Sequence, residues 1–333
     1  MYFVLLDILR FASSVAVFFH HTFHFYYGRL GVYLFFIISG FVIHFSLRKG
    51  VKEFIIGRFI RLYPLFWVCC TLTFLVTLFY NTNVSFQKYL MSMLMFNDGK
   101  IATMVDGSYW TLTFELLFYF YITVFIYIFS EKKVQWFYVG WLTIAFLSFF
   151  LTVDQHLISK LLSVRFAPYF VFGGMLALLI DRYKDLSKNE KASYVGVLVV
   201  AASMPYYISS KLRAQVDTIT NFTGSFDSDE MKIVLSFFII MPLAVLLSYY
   251  SFANGRHFRK VAFILGGITY PLYLLHWKIG STVITHYGYP YGKVTIFSVT
   301  VAVIIFAVSA LFSFWDEKFR KRLKSVLFGE KRG

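Results

Sequence analysis

The sequence predicts an all-α integral membrane protein with about ten transmembrane helices and both termini in the cytoplasm. Of its 333 residues, 59% are hydrophobic and only 15% are charged, whereas about 25% of the residues in a soluble domain are charged. Apolar stretches long enough to cross the ~30 Å hydrocarbon core of a bilayer recur along the whole chain. Basic residues are concentrated between alternate stretches. Such a chain has too little polar surface to be a soluble domain.

Ten apolar stretches of about 17–25 residues are candidate spans, because this length crosses the hydrocarbon core as a helix. They are residues 3–24, 30–47, 62–81, 110–130, 134–152, 164–180, 192–208, 231–252, 261–285 and 294–315. The ninth contains Gly266, Gly267 and Pro271, so we expect it to be kinked or broken at these residues.

The distribution of Lys and Arg predicts the orientation of the chain. The loops at 48–61, 131–133, 181–191 and 254–260, with the tail from 316, hold 21 of the 32 Lys and Arg residues, against 7 in the opposite loops. Basic loops remain in the cytoplasm, so both termini are expected inside. This topology accounts for the net charge of +15, and we predict no nucleic-acid partner.

We expect one transmembrane domain over residues 1–315 and a basic cytoplasmic tail over 316–333, which would rest on anionic lipid headgroups. The first apolar stretch lacks a basic leader and a small-residue cleavage site, so it is expected to be a retained span. Cys69 and Cys70 are adjacent within an apolar stretch and indicate no disulfide framework. No residue spacing typical of a metal site is present, and we predict no metal.

The first span carries a regular line of polar residues. Alternating spacings of three and four place them on one face of a helix; they are Asp7, Arg10, Ser14, His21 and His24, with Val17 in the same register. His20 points about 100° away, and Arg10 and His21 are ~16 Å apart along the axis. Ionisable side chains inside a membrane are costly and indicate function by default. The alternative is that this face only packs against neighbouring helices.

The two ends of this face have different chemistry. Asp7 and Arg10 are three residues apart and can form an ion pair that lowers the cost of burying both. With the N-terminus inside, Arg10 lies in the cytoplasmic half of the span and His21 near the outer surface. A neutral histidine there can take a proton from an incoming hydroxyl.

Two further spans contain candidate residues. Glu115 follows Trp110 by five residues at the start of an apolar span, and Arg10, Arg165 or a histidine are candidate partners for its carboxylate. A purely structural ion pair is the alternative. In the second span, Ser39 and Gly40 permit close approach of another helix.

Arg58 and Arg61 lie one helical turn apart before Tyr63 and Pro64. They can hold the phosphates of a cytosolic ligand, although the positive-inside rule explains basic residues here without any ligand. His276 ends the interrupted ninth span. It is either a core histidine or part of a cavity that the broken helix creates.

These motifs, taken in order, resemble those of membrane acyltransferase family 3, the bacterial enzymes that acylate surface glycans. The resemblance covers most of the chain, and each motif is weak alone. The first span matches with Asp7–Arg10 followed by His21, and the second with Gly31–Val32, Phe35–Phe36 and Ser39–Phe41. The arginine motif matches with Arg58 and Arg61–Pro64. Two later motifs match with Trp110–Leu112, Glu115 and Phe118–Tyr119, and with Thr269–Tyr270 and Tyr273–His276. Tyr33 stands where the family often has an acid, Thr111 replaces a serine and Ile8 a common glycine. We expect no appended extracytoplasmic esterase-like domain.

The resemblance implies that the chain transfers an acyl group, usually acetyl, from cytosolic acetyl-CoA to a hydroxyl of a surface polysaccharide or lipid-linked glycan. It implies a multi-pass protein of the bacterial inner membrane, in contact with acyl-CoA, glycan and lipids. A homodimer is one oligomeric state that it allows. Catalytic roles are then assigned to His21, Arg10 and Glu115, with Glu115 positioning one of the other two. Acyl-CoA would contact Arg58, Arg61, Ser39 and Tyr63, and the acceptor would contact His24, Trp110 and His276.

Two other functions fit the same polar residues. A glycan or lipid transporter would use the polar face as a pathway, with Asp7, Arg10 and Glu115 coupling it to protons. A haem protein would pair His20, His21 or His24 with His276 on a facing helix. Binding of acetyl-CoA separates the acyltransferase from the transporter, and visible colour identifies haem.

Overall fold

The computed structural model describes residues 3–48, 50–82, 84–95, 103–148, 163–212, 226–249 and 255–328. Throughout these ranges the regular structure is helical, without a β-strand. The predicted all-α class is therefore confirmed.

Twelve α-helices lie within the described ranges, joined in three places by short 3₁₀ segments. The α-helices are α1 (Val4–Phe23), α2 (Gly31–Leu47), α3 (Val51–Phe79), α4 (Phe86–Met93), α5 (Trp110–Phe129), α6 (Val134–Ser148), α7 (Ala167–Arg182), α8 (Lys188–Leu212), α9 (Ser228–Leu247), α10 (Arg256–Leu275), α11 (Lys278–His286) and α12 (Ile296–Phe328). The 3₁₀ segments are Tyr26–Leu30, Gly107–Tyr109 and Glu131–Lys133.

Eight helical segments in the described part of the chain are long and apolar enough to cross a membrane. They are Val4–Phe23, Tyr26–Leu47, Val51–Phe79, Gly107–Phe129, Lys188–Ser210, Ser228–Leu247, Arg256–Leu275 and Ile296–Leu327. The protein is thus a multi-pass membrane protein. Helices α6 and α7, of 15 and 16 residues, coincide with the remaining two predicted spans. The total of ten spans and the cytoplasmic termini stay predictions.

Arg58 and Arg61 lie on a helix, which corrects their predicted position in an inner loop. Helix α3 begins at Val51 and continues for 29 residues. At 1.5 Å per residue it is ~44 Å long, more than the ~30 Å hydrocarbon core. The span predicted from residue 62 is therefore the apolar part of a longer helix, and the two arginines belong to its polar first turns.

The predicted break in the ninth span is also displaced. Helix α10 is continuous through Gly266, Gly267 and Pro271, and it ends at Leu275. A turn at His276 and Trp277 follows, and α11 begins at Lys278. The break thus lies at the histidine itself, beyond the glycines and the proline.

Helix α12 crosses the predicted boundary between membrane domain and tail at residues 315 and 316. It runs without interruption from Ile296 to Phe328, over 33 residues. Two i,i+4 ion pairs, Arg320–Asp316 and Lys321–Glu317, stabilise the segment beyond the boundary. The basic tail therefore begins as a continuation of the last helix.

The chain forms two compact units. The first contains Met1–Gly31, Ile55–Trp110 and Ser248–Gly333, and the second contains Val32–Phe54 and Thr111–Leu247. In the first unit, α1 packs on α10 and α10 packs on α12. The candidate residues are divided between the units: Ser39 and Glu115 belong to the second, and the others to the first.

Helices α2 and α7 of the second unit cross at glycines. A Cβ on Gly40 would collide with the carbonyl oxygen of Phe170, and one on Gly173 with that of Ile37. The two backbones are therefore in direct contact at the crossing, which is possible because glycine has no side chain. The close approach predicted at Ser39–Gly40 is confirmed.

This crossing predicts that Gly173→Ala destabilises the protein, because backbone rather than a movable side chain occupies the space of the new methyl group. We expect a loss of about 1–3 kcal/mol, seen as a lower melting temperature of detergent-purified protein. Gly140→Ala on α6 is the matched control, since no neighbouring atom lies within 4 Å of the position that a Cβ would take there. Equal melting temperatures of the two variants would contradict the close crossing.

Candidate active site

The N-terminal part of the α1 polar face holds an ion pair. Arg10 Nη1 lies 3.6 Å from Asp7 Oδ1, and the two side chains are only 15% and 17% exposed. A Cβ on Gly266 would lie 2.7 Å from Cγ of Asp7, so the absence of a side chain on α10 makes room for the carboxylate. The predicted pairing of Asp7 with Arg10 is confirmed.

The middle of this face is buried. Ser14 is buried, and its Oγ donates to the carbonyl oxygen of Phe11 at 2.8 Å. Val17 is buried and apolar. The chemistry of the face is therefore confined to the Asp7–Arg10 pair and to His21, near the other end of α1.

His24 does not belong to the α1 face, which corrects its predicted register. Helix α1 ends at Phe23, and His24 is a C-cap with φ 54° whose N–H donates to the carbonyl oxygen of Phe19. This left-handed cap turns the chain away from the helical register. The His24 side chain is exposed and lies against Gly292 and Tyr291.

His21 lies in an aromatic cluster with the residues that follow α10. Its ring stacks on Trp277, with centroids 3.9 Å apart and planes at 17°. The ring of His276 is next to it, at 5.2 Å and 48°. His20 is engaged elsewhere, since its Nδ1 is 3.0 Å from the carbonyl oxygen of Phe25. The prediction that His21 rather than His20 lies on the polar face is thus confirmed.

His276 has a defined tautomer. Its Nδ1 is 2.7 Å from the carbonyl oxygen of Tyr273. Because a carbonyl only accepts hydrogen bonds, Nδ1 carries the proton and Nε2 of the neutral ring is an acceptor. The side chain is 1% exposed, and Nε2 is buried without a hydrogen-bond partner among the described residues. An unsatisfied buried acceptor costs about 1–3 kcal/mol.

Asp106 positions the turn that carries His276 and Trp277. Its Oδ2 accepts from the backbone N–H of Lys278, the first residue of α11, at 2.9 Å. Its Oδ1 accepts from the backbone N–H and Oγ of Ser108, both at 2.8 Å. The side chain is fully buried, and this burial raises the pKa of the Asp106 carboxyl. A carboxylate at a helix N-terminus stabilises that helix.

Sequence reasoning missed Asp106, although the Asp-Gly-Ser sequence before a helix is a typical capping signal. Tyr273 joins the same network, because its hydroxyl donates to the carbonyl oxygen of Ser108 at 2.9 Å. The loop before α5 is therefore tied to the end of α10. Trp110 follows this loop directly as the first residue of α5 and is partly buried.

Glu115 of the second unit is held by two hydroxyls. Ser39 Oγ donates to Glu115 Oε1 at 3.0 Å, and the Tyr119 hydroxyl donates to the same oxygen. The sequence predicted a basic partner, and this is wrong for Oε1, whose donors are neutral. Within the described ranges Oε2 receives no hydrogen bond. The carboxylate thus has one oxygen fixed and one available.

Arg61 lies in a charged group formed by α3 and α12. Arg320 Nε is 2.8 Å from Asp316 Oδ2, and Arg61 interacts electrostatically with Asp316. One turn before Arg61, Arg58 is partly buried on the same helix. The first turns of α3 therefore bring cationic side chains together with the polar end of α12.

Tyr63 is engaged by the segment that follows α3. Its hydroxyl donates to the carbonyl oxygen of Leu94 at 3.2 Å, and Trp67 Nε1 donates to that of Met93 at 3.0 Å. Helix α4 and its C-terminal end consequently fold back along α3, a feature that the sequence did not predict. A role of Tyr63 in binding acyl-CoA stays a prediction.

An apolar groove of about 820 Å³ lies beside the histidine cluster. It is formed by the end of α1 and the first turns of α12, with Phe18, Phe306 and Val303 among its walls and His24 at its edge. Phe18 separates the groove from His276, since the two rings are 6.4 Å apart. The end of α1 thus has a polar side and an apolar side.

Fold and site define a multi-pass, all-α membrane protein with two adjacent imidazoles, His21 and His276, and an ion pair on α1. The sequence model of a family described as "Acyltransferase domain" matches residues 3–315. The chain belongs to this family, as the motifs in the sequence predicted.

The chain is also similar to a protein named for exopolysaccharide production. The chain is 36% identical to the "Exopolysaccharide production protein ExoZ" of Rhizobium meliloti (strain 1021) over 108 residues. The aligned part is 29% of this chain and 33% of that protein, so the similarity spans about a third of the relative's length. No solved structure matches the chain significantly.

The Asp106 network predicts that Asp106→Ala destabilises the protein by about 1–3 kcal/mol, because it leaves the N–H groups of buried Ser108 and partly buried Lys278 without their acceptor. The melting temperature of purified protein measures this loss. Asp229→Ala is the control, since Asp229 is exposed and pairs with the exposed Lys232. A melting temperature equal to that of the control would contradict the capping role of Asp106.

Proposed function

We propose that the protein is an O-acetyltransferase of the bacterial inner membrane, which moves an acetyl group from cytosolic acetyl-CoA to a hydroxyl of a surface polysaccharide or lipid-linked glycan. The observation that carries this proposal is the adjacent pair of His21, a partly buried residue of α1, and His276, a buried residue in the turn after α10. Imidazole side chains can move protons and acyl groups, which is the chemistry that an acyltransferase needs.

The donor side is assigned to the cationic start of α3. Arg58 and Arg61 bind the phosphates of acetyl-CoA, since guanidinium groups form paired hydrogen bonds with phosphate oxygens. Asp316 beside Arg61 keeps this region from being uniformly positive. Arg10, farther along the path to His21, stabilises the charge that develops on the thioester.

The acceptor side is assigned to the end of α1. His21 acts there as general base or as transient acyl acceptor, and its stacking on Trp277 fixes the plane of its ring. His24, Trp110 and His276 contact the glycan in this proposal. Glu115, with one oxygen held by two hydroxyls, is assigned a positioning role.

A glycan acceptor is supported by the similarity to a protein named for exopolysaccharide production. A surface glycan is rich in hydroxyls, the acceptor group that ester formation requires. Mass spectrometry of surface glycans from cells with and without the gene tests this assignment, through the presence or absence of an acetyl mass increment. An unchanged glycan profile would contradict the proposed acceptor class.

His21→Ala is expected to reduce acyl transfer by at least ~100-fold, the lower range for loss of an acid–base group, while the protein still inserts into membranes. Membrane vesicles with radiolabelled acetyl-CoA and glycan acceptor measure the rate. His257→Ala, an exposed histidine in the first turn of α10, is the matched control. Acylation by His21→Ala at the control rate would remove His21 from the mechanism.

Arg58→Gln and Arg61→Gln are each expected to raise the KM for acetyl-CoA by about 10-fold, because each removes a charge-assisted hydrogen bond worth about 1.5–3 kcal/mol. The KM for the glycan should not change. Lys52→Gln, an exposed charge loss on the same helix, serves as control. A KM for acetyl-CoA unaffected by both arginine substitutions would place the donor elsewhere.

A further inference from the structure

We propose that His276, rather than His21, is the base that takes the proton of the acceptor hydroxyl, and that His21 carries the acyl group between donor and acceptor. This inference rests on the proposed acyl transfer and divides its two steps between two imidazoles. His276 then takes part in proton transfer and does more than bind the acceptor.

The first reason is the state of the His276 ring. Donation from Nδ1 to Tyr273 fixes the tautomer, so Nε2 presents a lone pair and no proton. This nitrogen is buried and has no hydrogen-bond partner in the described ranges. Buried polar groups are nearly always paired in folded proteins, and the partner that Nε2 can take is a hydrogen-bond donor such as a hydroxyl.

The second reason is the surroundings of the ring. Phe18 and Tyr273 lie beside it, with ring centroids at 6.4 and 5.5 Å, and these aromatic rings offer little to a solvating water. A stable buried water requires about 2–4 polar partners. The lone pair therefore lies among aromatic rings, and the His21 ring is its neighbour at a centroid distance of 5.2 Å.

The ring of His21 is suited to the other task. It has no hydrogen bond to the described residues, so neither nitrogen is committed to a structural bond. Stacking on Trp277 at 3.9 Å holds the plane of the ring, and the His276 ring is adjacent at 5.2 Å. A fixed imidazole with an available nitrogen is a nucleophile for a thioester.

In the first step a His21 nitrogen attacks the thioester carbonyl carbon. The C–N bond forms, the C–S bond breaks, and the CoA thiolate leaves with the electron pair. In the second step the acceptor oxygen attacks the acyl carbon, the C–O bond forms, and the C–N electrons return to the imidazole. The hydroxyl proton moves to His276 Nε2 and from there neutralises the released thiolate through solvent.

The substitution His276→Asn removes the basic nitrogen at position 276 and keeps a donor for the structural hydrogen bond to Tyr273. The asparagine amide N–H can replace the Nδ1–H donor to Tyr273, but the variant has no basic nitrogen at the Nε2 position. Two rates are measured in vesicles: exchange of labelled CoA into acetyl-CoA without acceptor, which reports the first step, and transfer to the glycan. His21→Asn is the comparison, and His257→Asn is the unaffected control.

We expect His276→Asn to retain CoA exchange within about threefold of wild type and to lose glycan transfer by at least ~100-fold. His21→Asn should lose both. Undiminished glycan transfer by His276→Asn overturns the proposal, as does equal loss of both rates in a variant with a normal melting temperature. Wild-type protein that acetylates glycan without CoA exchange overturns the acyl role of His21, and wild-type protein that acetylates no glycan overturns the proposed function itself.

Discussion

The packing of α1 against α10 determines where the polar groups of the first unit can lie. The hydrocarbon core contains no water to satisfy them, so each must find its partner within the protein. At one end Asp7 fits against Gly266, where a larger residue would displace it. At the other end His21 meets the turn at His276 and Trp277. One helix pair therefore holds both an internally paired charge and an unsatisfied acceptor.

The two units solve the problem of buried polarity in different ways. In the first, Asp106 is satisfied by main-chain N–H groups, which fixes the start of α11 and thereby the histidine turn. In the second, two hydroxyls converge on one oxygen of Glu115. These two donors are neutral, so the contacts fix one carboxylate oxygen of Glu115 without adding a positive charge beside it.

The membrane class, the Asp7–Arg10 pair and the choice of His21 over His20 follow from the sequence, because hydropathy and helical register depend only on local residues. His24 could not be placed, since the register ends wherever the helix ends and the left-handed cap is set by tertiary contacts. Ser39 was missed as a partner of Glu115 because it is 76 residues away in the chain, whereas Tyr119 lies one helical turn from Glu115 and was within reach of sequence reasoning. The break was expected at Gly266, Gly267 and Pro271 because these residue types destabilise a helix locally. The helix instead ends just before His276, where a hydrogen bond to Asp106, which is distant in the chain, fixes the turn.

The docking of α4 on α3 has a consequence for sequence tolerance. Tyr63 and Trp67 donate to main-chain carbonyls of Leu94 and Met93, groups that every residue possesses. The side chains at positions 93 and 94 are therefore free to vary without loss of these two bonds. These two bonds constrain only the sequence of α3, because the donors are side chains of that helix. Natural variation in this returning segment should consequently be broad, whereas positions 63 and 67 accept only residues that can donate a hydrogen bond at that distance.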